Sequence, residues 1–235
     1  MQAAATRAAS GRLFYFLMSL LVAAVVVFGF SRTIDEVLLH PAYPRPPILW
    51  AHAAVFFGWV ALFVVQTGLV QARQLRLHRT LGWVTAGLGA VIPVLGLWTA
   101  IVMAKFNTEL GSLDSESFLI IAFSDMASFA GAFGLGLLWR KDAERHKRLM
   151  LIASCALTAA AFTRFPPQIL PDPWFYAGVD ALILIGVARD LLVMRRVHPI
   201  YLVALPLLLV VQVAAVLVYR TSPMAWLAIA DWLIR

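Results

Sequence analysis

Apolar residues in this chain come in long unbroken runs, and seven of them are long enough to cross a hydrocarbon layer as helices: 13–31, 48–70, 81–104, 117–139, 149–165, 174–194 and 199–219. A layer about 30 Å thick takes roughly 20 helical residues. Unbroken runs also exclude a transmembrane barrel, whose strands alternate apolar and polar positions over about ten residues. The pattern predicts an all-α polytopic membrane protein, a single seven-helix bundle over residues 1–235. Arg7 and Arg12 precede the first run as they would in a secretory signal. The run is long for a signal, however, and no A-x-A site follows Phe28-Gly29-Phe30-Ser31, so it is read as an uncleaved first span.

Composition agrees: 62% of residues are hydrophobic, 13% are charged and the mean hydropathy is +0.86. A net charge of +7 would point to nucleic acid in a soluble chain, but here it reads as topology, with no nucleic-acid partner implied. Thirteen of the nineteen basic residues fall on one side: Arg7 and Arg12; Arg73, Arg76 and Arg79; Arg140, Lys141, Arg145, Lys147 and Arg148; Arg189, Arg195 and Arg196. The other side has Arg32, Arg45, Lys105, Arg164, Arg220 and Arg235. The excess places the N-terminus in the cytoplasm and the C-terminus outside, with the basic turns against anionic lipid. A bacterial inner membrane is the expected location.

The outer connections differ in kind. Pro41, Pro44, Pro46 and Pro47 stiffen one, Pro166, Pro167, Pro171 and Pro173 another, and Glu109, Asp114 and Glu116 make the third acidic. Pro93 and Pro206 fall inside spans and should kink them. Trp50, Trp98, Trp139, Trp174 and Tyr219 lie near span ends, as an interfacial aromatic belt requires. Ala127, Gly131, Gly134 and Gly136 offer the fourth span a small-residue face for close helix approach.

Ionisable residues inside spans cost about 2.5–3.5 kcal/mol each on insertion scales, so each needs a partner or a purpose. His52, Asp125, Arg164 and Asp180 all fall in the outer half and are expected to form one polar cluster, with Arg164 paired to Asp180 or Asp125. Such a cluster either holds helices in register or binds a proton or small ligand. Gln66 extends it, because His52, Trp59 and Gln66 recur at seven-residue spacing and share a helix face. His52, Asp125 and Asp180 have metal-type donors but no compact ligand spacing, so no metal site is assigned.

Three histidines, His78, His146 and His198, fall beside basic residues at the cytoplasmic span ends. Two of these turns, Leu77-His78-Arg79-Thr80-Leu81-Gly82-Trp83 and His146-Lys147-Arg148-Leu149-Met150, together with His52 and Gln66, carry a resemblance. Residues 50–165 resemble uncharacterised bacterial multi-helix membrane proteins that have an LHRxLG turn. More distantly, they are similar to haem-linked oxidase-assembly and b-type cytochrome families. The resemblance implies a polytopic fold and assigns no residue a role. Microbial rhodopsins are excluded, since Lys105, Lys141 and Lys147 all lie at connections and none can hold retinal. Covalent haem is excluded by the absence of C-x-x-C-H, the chain's single cysteine being Cys155. Non-covalent haem is not expected either, because the histidines able to pair across the bundle are confined to a basic interface. The first functional expectation is therefore an inner-membrane transporter or permease with its site in the outer half. The alternatives are a membrane redox protein holding haem or metal, and a scaffold or assembly factor.

Overall fold

A computed structural model describes residues 2–112 and 114–235, with the side chains of 9–112 and 114–235. Among these residues the chain forms α1 (Gln2–Ser31), α2 (Ile48–Gln71), α3 (Leu75–Glu109), α4 (Ser115–Leu138), α5 (Ala143–Ala156), α6 (Ala159–Phe162), α7 (Phe175–Met194), α8 (Pro199–Thr221) and α9 (Met224–Ile234). A π-helical turn at Asp35–Leu39 follows α1.

Five helices are long and apolar enough to cross a membrane: Ala9–Ser31, Ile48–Gln71, Leu75–Glu109, Ser115–Leu138 and Pro199–Thr221. The expected fifth run folds differently. It breaks at Leu157 and Thr158, where the Thr158 hydroxyl donates to the Cys155 carbonyl at 2.6 Å, leaving α5 at 14 residues and α6 at 4. A 14-residue helix rises only about 21 Å. The sixth run becomes α7, 20 residues long but carrying Asp180, Arg189 and Asp190. The short apolar helix α9 lies beyond the last expected span.

The chain is folded inside out by the standard of a soluble protein. Leu138, Leu192, Val203 and Val210 are 66–79% exposed, whereas Gln66, Ser154, Asp190 and Gln212 are buried. Outward aliphatic surface on this scale needs lipid rather than water around it. Helix α4 is central and packs on α3, α5, α8 and α9. Gly136 lets α5 approach α4, since a methyl there would strike Met150, while a methyl at Gly131 or Gly134 would meet nothing. The small-residue face is thus used at one of its glycines.

Turn chemistry sets the helix ends. The Asp142 carboxylate caps α5 by accepting from the backbone N–H groups of Glu144 and Arg145 at 3.0 and 3.2 Å. His198 caps α8 through Nδ1, with Pro199 in the first helical position. The bundle consequently has an arginine-rich end, where the α2–α3, α4–α5 and α7–α8 turns gather, and a proline-rich end opposite.

At the arginine-rich end Arg148 of α5 is wholly buried against Asp190 of α7. Its Nε and Nη2 each donate to that carboxylate at 2.8 Å, while Nη1 donates to the Glu144 carboxylate at 2.7 Å. Arg189 donates to Asp190 at 3.0 Å, and the Arg148 guanidinium lies 6.0 Å from the Tyr201 ring centroid on α8. Burial raises the Glu144 carboxyl, but the bonds from Arg148 and Lys147 outweigh it and hold the group at about 2. Its contribution is therefore complete above the ordinary carboxylate pKa near about 4.3 and is lost as pH falls through about 2.

Asp190→Leu alone is expected to destabilise the protein by about 3–5 kcal/mol, because it strands a buried guanidinium. Arg148→Met combined with Asp190→Leu should recover most of that loss in detergent thermal unfolding. Glu144→Gln, at a half-exposed position, should cost about 1 kcal/mol or less at neutral pH, a difference that disappears toward pH 2.

Candidate functional site

Two cavities enter the bundle from opposite ends. The one at the proline-rich end has a volume of about 670 Å³ and is lined by His52, Asp125 and Arg164, three of the expected site residues. Phe30, Phe56, Phe57 and Phe118 form much of its apolar wall. Asp125 accepts from the Tyr176 hydroxyl at 2.7 Å, and that hydroxyl lies 3.0 Å from Ser124. His52 stacks on Phe56, with ring centroids 3.9 Å apart, and its buried Nδ1 has no partner.

The expected ion pair does not form. Arg164 donates from Nε to Thr33 at 3.1 Å and from Nη1 to the Ala160 carbonyl, and its guanidinium sits 4.4 Å from the Phe30 centroid. Asp180 accepts from Gln212 of α8 at 3.1 Å and lies outside this cavity. The expectation treated Arg164 as the end of a helix antiparallel to α7. The break after α5 instead puts Arg164 in the turn following α6, facing α1, while Asp180 faces α8.

The second cavity, about 1220 Å³, opens at the arginine-rich end. Trp59, Phe63, Phe133, Leu137 and Met150 line its apolar interior, and Arg12, Arg79, Arg140, Lys141, Lys147 and Arg196 ring it with positive charge. His78 of α3 and His146 of α5 share its wall, their ring centroids 6.4 Å apart and their planes at 75°. His146 Nδ1 lies 2.8 Å from the Gly136 carbonyl oxygen. A carbonyl only accepts, so in the neutral ring the proton is on Nδ1 and Nε2 keeps its lone pair.

Gln66 belongs here rather than with His52. Its amide lies 2.6 Å from His78 Nδ1 and 2.9 Å from Thr85 Oγ1. Which amide atom faces the ring fixes the His78 tautomer. With nitrogen toward the ring, the amide also donates to the His78 carbonyl and accepts from Gly82 N–H at 3.1 Å, leaving the imidazole proton on Nε2. With oxygen toward the ring, Nδ1–H donates and Nε2 presents a lone pair.

The His52, Trp59 and Gln66 face does run through the bundle, but as two sites and a wall. Trp59 is buried between the cavities, edge-on to Phe129 and Phe133 at 5.1 and 5.5 Å, and its indole N–H donates to Ser154 at 3.3 Å. Gly89 leaves room for this wall, since a methyl there would collide with both Phe133 and Trp59.

Sequence reasoning missed the buried pair of Arg148 and Asp190, although Asp190 lay inside the sixth apolar run and met the criterion for an intramembrane charge. It also missed Arg45 and Thr99, which line the proline-end cavity. Among the described residues no group of three or more His, Cys, Asp or Glu could hold a metal ion. No protein-family model, curated protein or solved structure matches the chain.

Because Arg164 and Asp180 do not touch, a double-mutant cycle with Arg164→Gln and Asp180→Asn should give a coupling energy within about 0.5 kcal/mol of zero. Thermal unfolding of the two single variants and the double variant measures it. A coupling of about 2 kcal/mol would mean that the two residues meet.

Proposed function

We propose that the chain is a membrane redox protein whose arginine-end cavity holds a planar, anionic metal cofactor of the haem type between His78 and His146. The observation that carries this reading is the pair of histidines 6.4 Å apart, each tied at Nδ1, His146 by the Gly136 carbonyl and His78 by the Gln66 amide. His78 and His146 are the residues that would hold the metal, each through the ring nitrogen not tied by its anchor. Metal-bound histidines characteristically anchor their other nitrogen to a carbonyl or amide, which fixes tautomer and ring plane. Gly136 supplies one anchor, and Gln66 supplies the other by turning its oxygen to the ring on cofactor binding, which gives up the bonds its amide makes in the opposite orientation to the His78 carbonyl at 3.2 Å and from Gly82 N–H at 3.1 Å.

The rest of the cavity suits such a group. Its aromatic and aliphatic interior accepts a flat apolar macrocycle, and Arg79, Arg140 and Lys147 at the mouth match carboxylates on the cofactor's edge. When bound, the group supplies one-electron chemistry. The chain's residues hold it, exclude water from one face through Trp59 and Phe133, and balance its charge at the rim. The expectation of no haem rested on the histidines being confined to a basic interface, and the convergence of His78 and His146 in one cavity is what favours this alternative.

In this reading the arginine-rich end is cytoplasmic, α5 and α6 together make the fifth of seven crossings, and the protein sits in a bacterial inner membrane. Labelling supports the orientation if a cysteine placed at Glu109 reacts with an impermeant reagent added outside intact cells and one placed at Lys141 does not. The reverse pattern would invert it.

A permease is the second reading. It is favoured by two cavities opening at opposite ends, one lined by Trp59 and the other by its hydrogen-bond partner Ser154, with His52, Asp125 and Arg164 as the substrate site.

The reduced-minus-oxidised spectrum of purified protein separates the two. A b-type signal is expected in the parent and in His52→Ala, and should be lost in both His78→Ala and His146→Ala. Folded protein from haem-replete cells without any such signal would rule out the cofactor and leave the permease.

A further inference from the structure

The proline-end cavity is lined by polar groups that lack hydrogen-bond partners. Arg45 Nε, His52 Nδ1 and Thr99 Oγ1 are all buried there without a hydrogen-bond partner. Arg164 meets only a hydroxyl on Thr33, the Ala160 carbonyl and, at 3.4 Å, Thr163. Arg45 reaches the Asn107 side-chain oxygen at 3.5 Å and stacks over Phe106. Among the described residues neither guanidinium is ion-paired. Both guanidiniums are half-buried and without a counter-ion, and several buried polar atoms left unpaired in one cavity are rare.

Asp125 does not answer this need. It lines the same cavity, yet its side-chain hydrogen bond comes from Tyr176, and Asp114, the cavity's other carboxylate, is within ion-pair distance of neither arginine. The unmet demand is therefore for an acceptor bearing negative charge. The cavity is also far larger than a bare anion requires, and the phenylalanines in its wall call for an apolar body behind the charged head.

We infer that the proline-end cavity binds small molecules that carry one carboxylate on an apolar, preferably aromatic, body. The carboxylate faces Arg164, with His52 and Thr99 as neutral donors, and the body lies among Phe30, Phe56 and Phe118. The permease reading assigns the site to a substrate, and this inference names the substrate class. Binding itself depends neither on transport nor on a cofactor at the opposite end.

The test is calorimetric titration of the purified full-length protein in detergent with benzoate, benzamide and benzylamine, three probes of one shape and different charge. Benzoate should bind saturably at one site, benzamide at least tenfold more weakly, and benzylamine not at all. Thr99→Val, which keeps side-chain shape, and Arg164→Gln should each weaken benzoate at least tenfold, while Arg220→Gln, outside both cavities, leaves it unchanged. A thermal unfolding transition like the parent's confirms that each variant is folded. Equal binding of benzamide, preference for benzylamine, indifference to both substitutions, or no benzoate binding would each overturn the inference. Benzoate binding without measurable uptake in vesicles would set aside the permease and leave the ligand site standing.

Discussion

Moving a guanidinium or a carboxylate out of water costs several kcal/mol per ion unless the partner comes with it and every remaining donor is satisfied. Arg148 and Asp190 meet both conditions, with two parallel bonds between them, Glu144 taking the third guanidinium nitrogen and Arg189 adding a second cation to the carboxylate. The requirement reaches well beyond two residues. It fixes the depth of α5 against α7, sets Tyr201 of α8 over the guanidinium, and brings the start of α5 to the level at which His146 can face His78. A shift of one helical turn in α5 would break the ion pair and part the histidines together. The capping of α5 by Asp142 serves the same register, since it sets where the helix begins.

That register explains why the interior is divided. Between the histidine pair and His52 the bundle closes around Trp59, Phe129 and Phe133, a layer whose edge-on ring contacts need Gly89 on α3 to make space. One side of this layer offers two imidazoles ringed by cations, and the other offers unpaired donors in an aromatic pocket. The two chambers thus differ in chemistry as well as in position. One helix face on α2 reaches both of them, with His52 and Gln66 on opposite sides of Trp59.

The helical class and most of the helix positions were legible in the sequence because hydrocarbon imposes length and continuity directly on the pattern of residues. What did not show was the break at Leu157 and Thr158. Both residues are compatible with a helix, so neither glycine nor proline marks the site, and it is the tertiary packing of α6 on α1 and α7 that tolerates the interruption. Without it, Arg164 was assigned to the wrong face and the wrong partner. His52, Asp125 and Arg164 were nevertheless brought to one cavity, because similar depth follows from span arithmetic even where rotation about the helix axis does not. Gln66 was misassigned for the complementary reason. Its face was read correctly, but seven residues of rise on each side of Trp59 carry a helix out of one chamber and into the next. His78 and His146 meet because α3 begins at Leu75 rather than at residue 81, so that an apparent loop histidine is carried on a rigid helix.

The wall at Trp59 also shapes the electric field across the protein. In a bilayer, water entering from both ends carries each bulk potential inward, so the transmembrane voltage falls mainly across the thin apolar layer between the chambers rather than over the full hydrocarbon thickness. A unit charge moved across the whole membrane exchanges about 2.3 kcal/mol per 100 mV, and here most of that would fall across the layer around Trp59. A charge resting in either chamber would feel little of the voltage. One crossing the Trp59 layer would feel almost all of it.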